Sequence, residues 1–404
     1  MKRVLIFLTA LLMTVSLFGC DNATTDTDTT VNSVDPAAET IYTTPLEIPT
    51  ADEMRQLAVQ AMRDLLSIQW TPDKTISYYN TAGRDKQFDY KPNTVYGGVL
   101  YSGSSSGLIH FMEFYDPETG VLSYPGDSDA LRKAIGSGCA DSLLWSWATV
   151  SNSFNCGYYP SQMVYKNGFL PVGDYTYNFE VDSFYNLPTK AIIDNNGHDV
   201  ILEAYAKTLP ADAMISSSWD HAIMIIENPT VVRRSDGTID AENSFVYIQD
   251  QRGGTSKGFI EEKVDGKTVH FNSQRKLKMT FKELLEKNCI PVTIAEFTGA
   301  KEYDPANVTL KTGECTTLAA AKTAVIEANY PIAVIRLVGI DSADQSTVID
   351  RILIHSASTS GPAKTYDLRS WDDLQKLDPS GYKKIRVEVI VSTGQHFTPI
   401  DVTP

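Results

Sequence analysis

Gly136-Ser137-Gly138-Cys139-Ala140-Asp141-Ser142-Leu143-Leu144-Trp145-Ser146-Trp147 is the stretch on which the reading of this chain turns. Two glycines make a flexible turn, and the apolar run behind them predicts a helix with Cys139 in its first turn. Unpaired backbone N–H groups and the positive end of the helix dipole both favour a thiolate there. The thiolate is the nucleophilic form of cysteine. Further along, Asp220-His221-Ala222-Ile223-Met224-Ile225-Ile226 predicts an apolar strand with a histidine at its mouth. If folding brings His221 to Cys139, the imidazole can take the thiol proton, and a third polar group would hold the ring.

Val246-Tyr247-Ile248-Gln249-Asp250-Gln251 supplies candidates for that third group on the next strand. Side chains alternate along a strand, so Gln249 and Gln251 share one face and Asp250 takes the other. Asp250 is favoured because a carboxylate also stabilises an imidazolium. Gln249 and Gln251 stay open as alternatives that act by hydrogen bonding alone.

Outward from this centre, Met54, Leu57, Ala58, Ala61, Met62, Leu65 and Leu66 recur at helical spacing, which predicts a helix over 51–69 capped by Thr50. Residues 70–130 carry many Tyr, Gly, Ser and Asp, with Pro92, Pro117 and Pro125 as breakers, and read as irregular loops and short turns. A short helix is expected over 200–207. Strands follow at 221–227 and 244–250, joined through the turn Ser235-Asp236-Gly237. Residues 281–287 read as a helix and 291–297 as an alternating strand. Beyond a boundary near 299–304, strands at 308–310, 332–340, 347–355 and 384–391 predict a small β-sandwich over 301–404.

The first residues bear on location. Lys2 and Arg3 precede an apolar run, Val4 to Phe18, too short to span a bilayer comfortably, so 1–19 reads as a signal peptide. Leu17-Phe18-Gly19-Cys20 resembles a bacterial lipobox, which implies cleavage before Cys20 and lipidation of its thiol. Residues 20–48 begin rich in Thr, Asp and Asn, with few large apolar residues, and read as a disordered tether. A protein held to the membrane through Cys20, outside the cytoplasm, is expected.

The formal charge is −15 and would become −17 once Lys2 and Arg3 are removed, which argues against nucleic acid or anionic lipid as partner. Five cysteines are too sparse for a disulfide framework, and none has the close spacing of a zinc site. No metal or cofactor is expected. Cys156 and Cys289 read as buried thiols, while the disulfide state of Cys315 stays open. His110, His198, His270, His355 and His396 lack matching partners in the sequence and read as surface or structural residues. Trp145 and Trp147 read as core.

Gly138-Cys139-Ala140-Asp141-Ser142-Leu143-Leu144-Trp145 resembles the cysteine helix of NlpC-type and CHAP-type papain-like peptidases. Leu209-Pro210-Ala211-Asp212-Ala213-Met214 is similar to their L-x-P-G-D turn, and Asp220 to Ile225 to their histidine strand. Val95-Tyr96-Gly97-Gly98-Val99-Leu100-Tyr101-Ser102 resembles their G-x-P-Y segment, which implies that Tyr96 and Tyr101 flank substrate. The resemblance implies an α+β, papain-like domain over 49–300, with a cysteine helix packed on an antiparallel sheet. It further implies hydrolysis of amide bonds in peptidoglycan stem peptides by Cys139, His221 and Asp250. The chain departs from the family pattern at Ala140-Asp141, Ala211 and Leu100. Gly-x-Cys-Ala-Asp also resembles the cysteine helix of transglutaminase-like enzymes, although those follow their histidine with Ala-Trp rather than an aliphatic run. A non-catalytic surface lipoprotein that keeps the papain-like fold is the third reading.

Overall fold

The computed structural model describes residues 48–78, 88–102, 105–177, 187–252, 259–355 and 364–404. The expected signal peptide, Cys20 and nearly all of the tether lie outside the described residues. The protein is mixed α+β, with several sheets and short helices.

A helix over Ala51–Ser67 opens the described chain. The Thr50 hydroxyl accepts from the Glu53 N–H, and the Glu53 carboxylate accepts from the Thr50 N–H at 2.7 Å, a reciprocal cap. Its stripe of Met54, Ala58, Met62, Leu65 and Leu66 is buried. Burial of each large side chain there contributes about 1.5–3 kcal/mol. This stripe covers the cysteine helix, Cys139–Trp147, and one edge of the main sheet.

The main sheet has six strands in the order Ser273–Thr280, Phe245–Gln251, His221–Ile225, Ala213–Ser216, Ile290–Ile294 and Phe169–Pro171. Every neighbouring pair in it is antiparallel. Ile290–Ile294 is buried on both faces, so it lacks the alternation expected of 291–297, and a 3₁₀ turn at Glu296–Thr298 ends it. The strand carrying His221 lies beside the strand carrying Asp250, with Ile248 opposite Ile225 and Gln249 opposite Met224. The cysteine helix crosses both strands, and its Leu143, Leu144 and Trp147 are fully buried.

Residues 70–130 are more ordered than the sequence suggests. Gln69–Pro72, Val95–Gly97, Tyr115–Asp116 and Val121–Leu122 join Ile260–Val264 and Lys267–Phe271 in a second six-stranded sheet. The cause is long-range pairing: Val95 pairs with Val269 and Trp70 with Tyr96. Strands of two to four residues are too short to leave a period-two pattern.

In the remaining chain, Val308–Leu310, Val325–Ala328 and Thr365–Asp367 form one antiparallel sheet. Ile332–Ile340, Ser346–Leu353, Lys384–Val391 and His396–Val402 form another. Ile326, Ile335, Leu337, Trp371, Val387 and Val389 fill a core of their own. The long strand Ile332–Ile340 is buried on both faces, because Ala333 and Val334 belong to the first core while Ile335 and Leu337 belong to the second. Polar contacts tighten this junction. The Glu113 carboxylate accepts from Arg336 at 3.0 Å through Nε, and the Ser392 hydroxyl donates to the Ala148 carbonyl at 2.7 Å.

Candidate active site

The turn that delivers Cys139 is pinned before the helix begins. Ser137 donates its N–H to the Leu100 carbonyl at 2.9 Å and accepts from the Ser102 N–H at 3.1 Å. Gly138 is the N-cap residue, and a Cβ there would lie 3.0 Å from Asp141 Oδ2 and 3.2 Å from the Ser102 carbonyl. Glycine lets these segments close up. Cys139 follows as the first helical residue, 8 % exposed, at the end of the helix where backbone N–H groups lack intrahelical acceptors.

His221 begins its strand with the side chain 11 % exposed, near enough to Cys139 for the sulfur to act on its charge. Its Nε2 donates to Oδ2 of fully buried Asp250 at 2.8 Å, which leaves Nδ1 free of that carboxylate. Burial alone would lower the imidazole pKa; the Cys139 charge and the hydrogen bonds to Asp250 and Cys139 outweigh it and raise it to about 10. A sulfur and a carboxylate thus both favour a charge on the His221 ring. The Trp219 indole covers the imidazole, ring centroids 4.4 Å apart, and the Lys287 ammonium sits 4.3 Å from the centre of that indole.

Cys139, His221 and Asp250 thus come together from a helix and two adjacent strands. Gln249 and Gln251 do not join them. Gln249 Nε2 donates to the Val59 carbonyl at 3.1 Å, and Gln251 Nε2 to the Val99 carbonyl at 2.6 Å, both on the opposite face of the strand. Tyr96 is 3 % exposed, packed among Trp70, Tyr90 and Phe259, so its ring has no free face for substrate. Tyr101 bridges to Ser137 next to the cysteine turn and is half-buried, a place from which it can border the site.

An acid at Asp141 favours the helix start but, if charged, opposes a thiolate at Cys139. In the structure burial pushes its carboxyl up to about 7, despite hydrogen bonds from Ser105, the Gly138 N–H and its own N–H. It carries a proton much of the time at neutral pH, which lessens its opposition to a thiolate. Asp212 is structural: it accepts the Leu209 N–H and the Arg55 guanidinium, each at 2.8 Å. Ala211 has φ +74°, a left-handed conformation that glycine adopts without strain.

Arg252 and Trp219 went unrecognised in the sequence. Arg252 lies two residues after Asp250, hence on the same strand face, and its Nε donates to both Asp250 oxygens at 3.0 and 2.8 Å. Spacing of two between opposite charges was the available signal. Trp219, two residues before His221, had only its proximity.

Cys139, Cys156, Cys289 and Cys315 are all free thiols. Burial raises Cys156 well above the ordinary thiol range and Cys289 to about 12. Among the described residues no cluster of His, Cys, Asp and Glu is arranged to hold a metal. A cleft of about 760 Å³ opens at Asp220, beside His221, lined by Tyr159, Ser161, Gln162, Lys190, Ser217 and Ser218. A smaller hollow of about 300 Å³ lies between Ala51 and Lys301, and Cys139, His221 and Asp250 line neither of the two. His110 and His355, expected to lack partners, are stacked on each other 5.2 Å apart at 19°. No family model, curated protein or solved structure matches this chain.

Proposed function

We propose that this protein is a cysteine hydrolase with a papain-like catalytic region, anchored outside the cytoplasm through Cys20, which cleaves amide bonds in peptidoglycan stem peptides. The placing of Cys139 at a helix start that packs on the strand of His221, itself hydrogen-bonded to Asp250, supports the reading. A nucleophile at a helix start, a base at a strand mouth and a buried orienter are the parts that thiol acyl transfer requires. The substrate class rests on the family resemblance of the motifs and on the lipobox-like segment.

The steps follow from the groups present. The Cys139 thiolate attacks the amide carbonyl carbon, and its electron pair forms the C–S bond as the carbonyl oxygen takes the negative charge. Backbone N–H groups at the helix start, that of Cys139 first, stabilise this oxyanion. His221 gives its proton to the nitrogen as the C–N bond breaks, releasing the amine and leaving a thioester. The neutral imidazole then takes a proton from water, whose oxygen attacks the thioester. Collapse expels the thiolate and a carboxylic acid, and His221 is again an imidazolium. Asp250 holds the ring throughout without itself accepting a proton. The cleft at Asp220, rich in hydroxyls with one lysine and one aspartate on its walls, suits a polar, charged peptide.

Incubation with soluble cross-linked muropeptides, followed by mass spectrometry, tests the proposal. Cleavage by the wild type, absent in Cys139→Ser, is expected. An added primary amine distinguishes the transglutaminase-like alternative: amide products in place of acids would favour transfer. If no peptide is cleaved and Cys139 alkylates no faster than Cys156 or Cys289, the enzyme reading falls, leaving the non-catalytic surface lipoprotein.

A further inference from the structure

We infer that Arg252 is a positioning residue that clamps Asp250 and thereby sets the pH range over which the Cys139–His221 pair is charged. The inference rests on the catalytic pair described above and assigns it a further determinant. Asp250 is fully buried, and its carboxylate is shared: Oδ2 accepts from His221 at 2.8 Å, while Arg252 Nε spans Oδ1 and Oδ2 at 3.0 and 2.8 Å. Arg252 is held in turn, its N–H donating to the Asn272 carbonyl at 3.0 Å. With both oxygens engaged, the carboxylate plane is fixed and Oδ2 stays aimed at the imidazole.

The charged groups around His221 are few enough to assign a sign. The cysteine helix brings Cys139 and, on its first turn, Asp141. The neighbouring strand brings Asp250 and Arg252; the turn before His221 brings Asp220 and Trp219, with Lys287 behind the indole. Arg252 is in direct contact with the carboxylate that His221 uses, and its side chain is 26 % exposed, so water screens it incompletely. A cation there favours the thiolate and disfavours the imidazolium. Removing it moves thiol ionisation to higher pH, by about 0.5–1 unit for a partly screened charge that acts across the Asp250 carboxylate and the His221 ring.

The experiment reads the thiol directly and needs no substrate. The rate of Cys139 alkylation by iodoacetamide is followed from pH 4 to 10 by mass spectrometry of the intact protein's digest, with Cys156 and Cys289 as slow internal references. Arg252→Gln is expected to move the midpoint up by about 0.5–1 unit, and Arg252→Lys to keep it within about 0.2 unit of wild type. A merely structural role would lower the amount of native protein without moving the midpoint. An unmoved midpoint in folded Arg252→Gln overturns the inference. Should that variant not fold, a displacement of 0.5 unit or more in Arg252→Lys does the same. Failure of muropeptide cleavage would leave this measurement intact, so the two proposals fall separately.

Discussion

Two buried histidines flank the cysteine helix, and their surroundings drive them in opposite directions. His221, at the helix start, meets a thiol and a carboxylate and is raised to about 10. His110, beside Trp145 on the same helix, is lowered to about 3, chiefly by burial and next by the neighbouring His355. Its hydrogen bonds fix a neutral ring: Nδ1 accepts the Gly107 N–H at 3.1 Å, so Nε2 carries the proton and donates to the Ile354 carbonyl at 2.9 Å. Both side chains are removed from water. The partner decides: anions overcome burial and hold a charge on one ring, while at the other the Ile354 carbonyl is too weak to do so and the second imidazole opposes a charge further. The first arrangement is the one the proposed chemistry would use. The second ties residues 105–112 to the end of strand Ser346–Leu353.

The sharpest way to break the comparison is to remove the anion from the His221 side. Asp250→Asn keeps the shape but leaves an amide facing Nε2 and Arg252. A fall in kcat for muropeptide cleavage of about 10²–10³-fold is expected, with KM changed far less. Circular dichroism checks that the fold survives. If kcat falls less than about 3-fold, His221 does not depend on Asp250 and the two histidines differ for another reason.

Next in size is the effect of acid on the His110 side. The unfolded chain's histidine titrates near 6.5, whereas folded His110 resists protonation until about pH 3. Between those limits the unfolded state binds a proton that the native state refuses, so stability falls as pH falls below 6.5. Between pH 7 and 5 this single group accounts for a loss of about 2 kcal/mol. His355, also lowered by burial, adds loss of the same sign. Urea unfolding at the two pH values should record the loss, and His110→Gln should shrink it. His221 has the opposite sign: its contribution is fully present below pH 6.5 and fades as pH rises toward 10, so His221→Gln should flatten the alkaline side. Equal acid slopes in wild type and His110→Gln would sink this account.

The two regions also differed in how far their sequences disclosed them. The cysteine helix, the strands at 221–225 and 245–251, and the cap at Thr50 and Glu53 each carry a local signal: a glycine turn, an apolar run, a capping spacing. Alternation along Val246–Gln251 correctly separated Asp250 from the two glutamines. The His110–His355 stack had no such signal, because nothing near either residue announces a partner at the far side of a domain junction. The sheet through Trp70, Tyr96 and Val269 was hidden for the same reason, its strands being short and paired at long range. Local pattern picked out the candidate residues; tertiary packing supplied what surrounds them.

The smallest expected effect tests whether the two flanks act independently. Trp145 packs edge-on to His110 at 4.7 Å, and its Nε1 donates to the Ser105 carbonyl at 3.2 Å. Trp145→Phe keeps an aromatic ring, loses that hydrogen bond and part of the ring area, and should cost about 1 kcal/mol in urea unfolding. Cys139 stands one and a half turns away on a helix start held by its own contacts, Ser137 to Leu100 and Ser102. Its alkylation midpoint should therefore stay where it is in the wild type. A midpoint that moves with Trp145→Phe would mean that the junction with the C-terminal sheets reaches the thiol through the helix. The neutral histidine would then belong to the site as much as the charged one.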